Sequence, residues 1–191
     1  MAADPSNVLI VRDVAAWRAW LDGNEDVSDG VWLVLAKKGV TDPTSLTYAQ
    51  ALDEALCSGW IDGQKRSRDE ATFQQRFTPR RSRSIWSQRN VGIIDRLEAE
   101  GRMRPRGRDE VAKAKADGRW DRAYGGLADM QVPEDLASAL AAVPGAKERF
   151  EALPKSQQFS AVFGVTTAVK EATRAARIER IVQFCSTTNA S

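Results

Sequence analysis

Fifteen consecutive residues concentrate groups able to hold an anion: Arg76-Phe77-Thr78-Pro79-Arg80-Arg81-Ser82-Arg83-Ser84-Ile85-Trp86-Ser87-Gln88-Arg89-Asn90. A guanidinium is a planar fork of donors that meets phosphate or carboxylate bidentately. If a strand closes at Pro79 and a helix starts at Ser84, the loop lays arginines beside unpaired N–H groups at the positive end of a helix. Ser84 is then the cap. Arg76, Arg80, Arg81, Arg83 and Arg89 are the expected donors, for an anionic small molecule or an acidic protein surface. The competing reading is a solvated basic turn, its arginines paired with Asp69, Glu70 or other surface carboxylates. Within a helix begun at Ser84, Trp86, Asn90, Ile94 and Leu97 share one face. Asn90 there either tethers a neighbouring backbone or lines a pocket, because a buried amide without partners costs about 1–3 kcal/mol.

A second run, Leu56-Cys57-Ser58-Gly59-Trp60-Ile61-Asp62-Gly63-Gln64, sets a thiol, a hydroxyl, an indole and a carboxylate in a row. Cys57 has no imidazole to deprotonate it, and cysteine on an apolar helix face is commonly small packing filler. Asp62 can act as a general acid, orient Arg66 or Arg80, or open an Asp-Gly turn. Trp60 and Trp120 are core or pocket wall. Trp60 and Asp62 thus mark a candidate pocket, and catalytic residues stay unassigned.

The chain has no histidine. That removes the usual general base near neutral pH, the usual zinc ligand and every nucleophile that relies on an imidazole. Two cysteines, Cys57 and Cys185, cannot build a tetrahedral zinc site. Neither the P-loop nor the dinucleotide-binding glycine pattern is present. No metal and no cofactor is expected. Net charge is only +2, yet Lys65 to Arg108 holds thirteen basic residues against five acidic ones, which leaves the remainder acidic. Such a stretch attracts phosphates, carboxylates or acidic surfaces. Nucleic acid is the weaker partner, since no DNA- or RNA-binding motif accompanies the charge. The longest apolar run, Val31 to Ala36, is too short for a bilayer, and Met1-Ala2-Ala3-Asp4-Pro5 lacks the regions of a signal peptide. A cytoplasmic protein without membrane contact is expected; oligomeric state stays open.

These groups need elements to position them. Asp13 caps a first helix with Val14, Trp17, Trp20 and Leu21 on one face. Val31 to Ala36, apolar throughout, is a strand buried on both faces. Thr47 and Gln50 form a capping box, and the helix after it ends at Gly59. Trp60-Ile61 and Gln64 to Arg68 flank an Asp62-Gly63 turn, and Thr72 to Thr78 is another strand ended by Pro79. Helical segments follow over 84–100, 106–117, 133–142, 145–153, 157–165 and 168–184. The fold class is α+β, a small, mostly antiparallel sheet packed with helices and then a helical C-terminal unit. The body spans 1–130 and the helical unit 131–191, with the boundary in the loop Arg119 to Val132.

Gly30-Val31-Trp32-Leu33, the run Ala55 to Gln64, Arg76-Phe77-Thr78-Pro79-Arg80-Arg81, Ser84-Ile85-Trp86-Ser87 with Arg89-Asn90, and Gly118-Arg119-Trp120 closely resemble the bacterial YdeI/OmpD-associated, or bacteriocin-protection, family. The resemblance covers about Val8 to Phe184. It implies an amino-terminal part similar to the YjbR/CyaY-like superfamily and, from Pro133, the family's helical domain. It implies no catalytic residue and no cofactor. The segments Phe159 to Val165 and Thr166 to Glu171 are plainer than the family's aromatic and basic pattern there. The first functional expectation is a non-catalytic, intracellular anion- or partner-binding module linked to stress or antimicrobial-peptide tolerance. The alternative is an enzyme on a small anionic or polar substrate, in a pocket of Trp60, Asp62, Arg80, Trp86 and Asn90. A third is a structural protein assembling through its helical end.

Overall fold

The computed structural model of the chain describes residues 8–127 and 130–186; Met1 to Pro5, read above for a leader, lie outside that set. Elements run β1 (Val8–Leu9), α1 (Val14–Asn24), β2 (Val31–Ala36), α2 (Tyr48–Cys57), β3 (Trp60–Ser67), β4 (Thr72–Pro79), α3 (Gln88–Ala99), α4 (Pro105–Ala116), α5 (Glu134–Ala141), α6 (Ala146–Ala152), α7 (Lys155–Thr166) and α8 (Glu171–Ser186). The fold class is α+β. Two compact units divide the chain: Met1–Ser84 with Asn90–Gly118, and Ile85–Arg89 with Arg119–Ser191.

In the first unit the sheet order is β1-β2-β4-β3, with β1 parallel to β2 and the other pairs antiparallel. All six residues of β2 are buried, as an unbroken apolar run demands of a central strand. Asp13 caps α1 by accepting the Ala16 N–H at 2.9 Å, which holds its carboxyl below the usual range. Thr47 and Gln50 close the capping box on α2. Against one sheet face sit stacked Trp17 and Trp20, with Phe77 and Trp60 packed beside them. Both buried indoles find a carbonyl, Trp17 at Ala51 and Trp60 at Glu25.

Asp62-Gly63 is not a hairpin turn. β3 runs through it with one extra residue, since Asp62 faces Phe77 while Lys65 faces Gln75. Glycine inside a strand marks a bulge, and the Gln75 side chain fills this one by donating to the Gly63 and Gln64 carbonyls. The chain reverses instead at Asp69, whose Oδ1 accepts from the Ala71 and Thr72 N–H groups and from the Thr72 hydroxyl. Side chains alternate across a strand, so the extra residue moves Arg66 onto the face of Gln74, to which it donates, and over the Trp32 ring at 4.0 Å.

The second unit closes its own core from Leu136, Leu140, Ala146, Phe150, Val162, Val165 and Cys185. The last carbonyls of a helix lack intrahelical partners, and arginines supply them here. Arg149 donates to the Cys185 and Ser186 carbonyls at 2.6 and 2.7 Å, Arg177 to that of Gly164, and Arg174 to that of Val165.

Candidate functional site

The expected anion donors separate by burial. Arg80 is 7% exposed, and its N–H continues the strand ladder to the Gly59 carbonyl at 3.0 Å. Arg76 is half-buried on β4, paired in register with Trp32. Its guanidinium lies against Gly30, where an added Cβ would meet Arg76 Nη2, the Phe77 carbonyl and the Thr78 methyl; with φ +129° as well, this position needs glycine. Arg81, Arg83 and Arg89 are exposed. Arg76, Arg81 and Arg83 form no ion pair among the described residues.

Ser84 does not cap a helix. Its hydroxyl accepts the Arg81 N–H at 2.9 Å and its own N–H returns to the Arg81 carbonyl, which ties 81–84 into a turn. The helix begins four residues later, at Gln88, whose N–H is taken by the Tyr124 carbonyl at 2.8 Å. The open helix end expected beside the arginines is therefore not at Ser84, and the first amide of α3 is occupied. Tyr124 also donates its N–H to the Trp86 carbonyl, a strand-like bridge that holds 86–88 in the second unit. Trp86 is buried at 2% exposure and packs on Trp120 at 4.9 Å. Asn90 sits with Ile94 and Leu97 on the buried stripe of α3. Trp60 is wholly buried among aromatics. Asp62 accepts the Tyr48 hydroxyl at 2.7 Å.

A second arginine group begins seven residues after Arg89, at Arg96, and no motif in the sequence announced it. Arg102 and Arg104 each reach one oxygen of Glu54, both at 2.8 Å, and that carboxylate is only 7% exposed. Arg96 donates to both oxygens of Asp53 and to Glu100. Arg104 also meets Ser58, Asp22 and Glu25; Arg106 meets Asp26, and Arg108 meets Glu98. Every arginine from 96 to 108 thus faces a carboxylate. Gly107 makes the approach possible, since a Cβ there would overlap the Cys57 carbonyl. This network fastens the chain after α3 to α2 and leaves little charge for a ligand.

Cys57 lies inside that clamp. Burial, aided by the Glu54 charge, pushes its thiol up to about 11, so at neutral pH it is a protonated packing group rather than a nucleophile. Cys185 is likewise raised by burial. Both are free thiols. No group of His, Cys, Asp and Glu suited to a metal ion occurs among the described residues, and no described helix is long and apolar enough to cross a membrane.

Residues 9–110 match the family model described as Domain of unknown function (DUF8412), and residues 129–186 match the one described as Bacteriocin-protection, YdeI or OmpD-Associated. The resemblance read from the sequence is carried by the helical end, while the sheet unit falls under a separate description. No curated protein and no solved structure matches the chain.

Proposed function

The chain belongs to the DUF8412 family, a domain of unknown function, and for it we propose a non-catalytic module that holds an anionic partner through the arginines at the end of β4 and in the loop after it. The observation that carries this reading is a contrast of partners. Arg76, Arg81 and Arg83 have no carboxylate among the described residues, whereas the arginines of 96–108 are all neutralised. Two of the three are exposed, and Arg66, half-buried over Trp32 on the same sheet face as Arg76, adds a fourth cation. The partner is an anionic small molecule or an acidic protein surface, with nucleic acid the lesser case. Free buried thiols fit a reducing, cytoplasmic setting. The description matched by residues 129–186 names bacteriocin protection, and we extend to this chain a role in tolerance of toxic peptides or related stress. Kinship of the sheet unit to the YjbR/CyaY-like superfamily is part of the same proposal.

The test is thermal unfolding with inorganic pyrophosphate and, separately, with a polyglutamate peptide. A ligand at a hundred times its Kd stabilises by about 2.7 kcal/mol. We expect that gain in the native chain, its loss in an Arg76→Gln, Arg81→Gln, Arg83→Gln variant, and its decline with added salt. Stabilisation of equal size in the triple variant, or none by either probe, rejects the reading. Binding of an oligonucleotide that stays flat from low to high salt rejects the nucleic-acid case.

A further inference from the structure

The second unit carries a surface that the arginine loop does not use. Between α5 and α8 lies a groove of about 860 Å³. Its floor is apolar: Ala139 and Ala142 from the α5 side, Ala175, Ile178 and Val182 from α8. The spacing of Ala175, Ile178 and Val182 presents one continuous helical stripe. Small side chains at Ala139, Ala142 and Ala175 leave room for another backbone to come close.

The rim is acidic. Three carboxylates, Asp135, Glu171 and Glu179, border the groove against a single guanidinium, Arg174. Arg174 is already committed: its Nε and Nη2 reach the two Asp135 oxygens at 2.6 and 2.8 Å, and Nη1 reaches the Val165 carbonyl at 2.9 Å. That clasp fixes the two walls and cancels the Asp135 charge. Glu171 and Glu179 form no ion pair among the described residues, so the groove keeps two uncompensated negative charges. Both stand on α8, eight residues and so about 12 Å apart at ~1.5 Å per residue.

We propose that this groove docks a basic amphipathic helix of a partner protein, with its apolar face on the alanine, isoleucine and valine floor and lysines or arginines two turns apart against Glu171 and Glu179. Helix-in-groove recognition of this kind draws affinity from the apolar stripe and orientation from the flanking charges. Both halves of that complementarity are present here, and the clasp pre-forms the site.

The experiment uses the full chain and a fluorescent synthetic peptide of about 18 residues, five helical turns, with leucines on one face, lysines eight residues apart on its flanks and alanine elsewhere. A counterpart carries glutamate in place of each lysine. Binding is read by anisotropy at low and high salt, and located by amide shift mapping. The lysine peptide binds, the glutamate peptide does not, and shifts cluster on α5 and α8. Glu171→Lys with Glu179→Lys weakens binding about tenfold or more, as loss of paired rim charges does. Ala175→Trp, at an exposed position that leaves the helical circular dichroism unchanged, blocks the groove and abolishes it. Equal binding of both peptides, indifference to the charge reversal, or shifts confined to other elements overturns the proposal. So does concentration-dependent dimerisation of the chain that Ala175→Trp removes, which assigns the groove to a second copy. Arg81→Gln with Arg83→Gln leaves peptide binding unaltered, which separates this site from the arginine loop.

Discussion

Residues 76–89 and 96–108 each carry five arginines, and the fold gives the two groups different neighbours. In the later group four of the five guanidiniums meet acids supplied from far back in the chain, Asp53 and Glu54 on α2 and Asp22, Glu25 and Asp26 around the end of α1, while Arg108 meets Glu98, ten residues before it. There the charge is internal, and its work is to hold α2 against the segment leading into α4. In the earlier group, Arg76, Arg81 and Arg83 find no carboxylate among the described residues. Local charge density in a sequence is therefore a poor measure of charge offered to a partner. What counts is where the opposing acids fall in space, and these lie some fifty residues away.

That contrast can be broken, most forcefully at Glu54. Glu54→Gln strips a buried carboxylate from two arginines. Breaking a buried pair costs about 3–5 kcal/mol; the expected loss is near 3, because Arg102 keeps Glu100 and Arg104 keeps Asp22. Urea titration measures it, and a loss under 1 kcal/mol would mean the clamp is ornamental. Next comes Cys57. Its folded thiol ionises near 11 and its ordinary value is 9.0, so the unfolded chain releases that proton first as pH rises. Stability then falls from pH 9 to 11 by roughly 2–3 kcal/mol and levels above that. Cys57→Ala removes this slope, to be seen in denaturation series at pH 8, 10 and 11.

Smaller again is Gly107→Ala. Alanine favours a helix over glycine by about 1 kcal/mol, but here its methyl drives into the Cys57 carbonyl, and overpacking costs about 1–3 kcal/mol. The net expectation is a destabilisation of about 1–2 kcal/mol; a stabilised variant would show that α4 can back away. Smallest is Arg81→Gln with Arg83→Gln. Exposed side chains without partners move stability by less than about 0.5 kcal/mol, so this pair should change anion binding while leaving the urea midpoint in place. A shift beyond 1 kcal/mol makes both arginine groups structural and erases the distinction.

Much of the frame was readable in the residues. The apolar run of β2, the capping box at Thr47 and the helical periodicities after residue 84 each obey local rules, and the α+β class follows from them. What escaped were features set by pairing over distance. Glu54 reads as one acid on an amphipathic helix until Arg102 and Arg104 arrive from fifty residues on. Ser84 carries a sound capping signal, yet Tyr124 draws 86–88 into the second unit and postpones the helix to Gln88. Asp62-Gly63 carries an equally sound turn signal, and the ladder to β4 overrides it by absorbing the glycine as an irregularity. β1, two residues long, is too short to leave a periodicity. At the candidate site, residue identity pointed to arginines, but only the fold tells which of them are spent.

The surplus residue near Gly63 has a consequence for how this protein can change over generations. Beyond that point each side chain of β3 lies one step out of phase with a regular strand, and this phase stations Arg66 above Trp32 and Lys65 above Phe73. A three-nucleotide deletion there would exchange the two cations between opposite sides of the sheet, leaving every remaining amino acid as it was. Lineages could thus repaint one surface of the sheet with positive charge, or wipe it clean, by altering length alone.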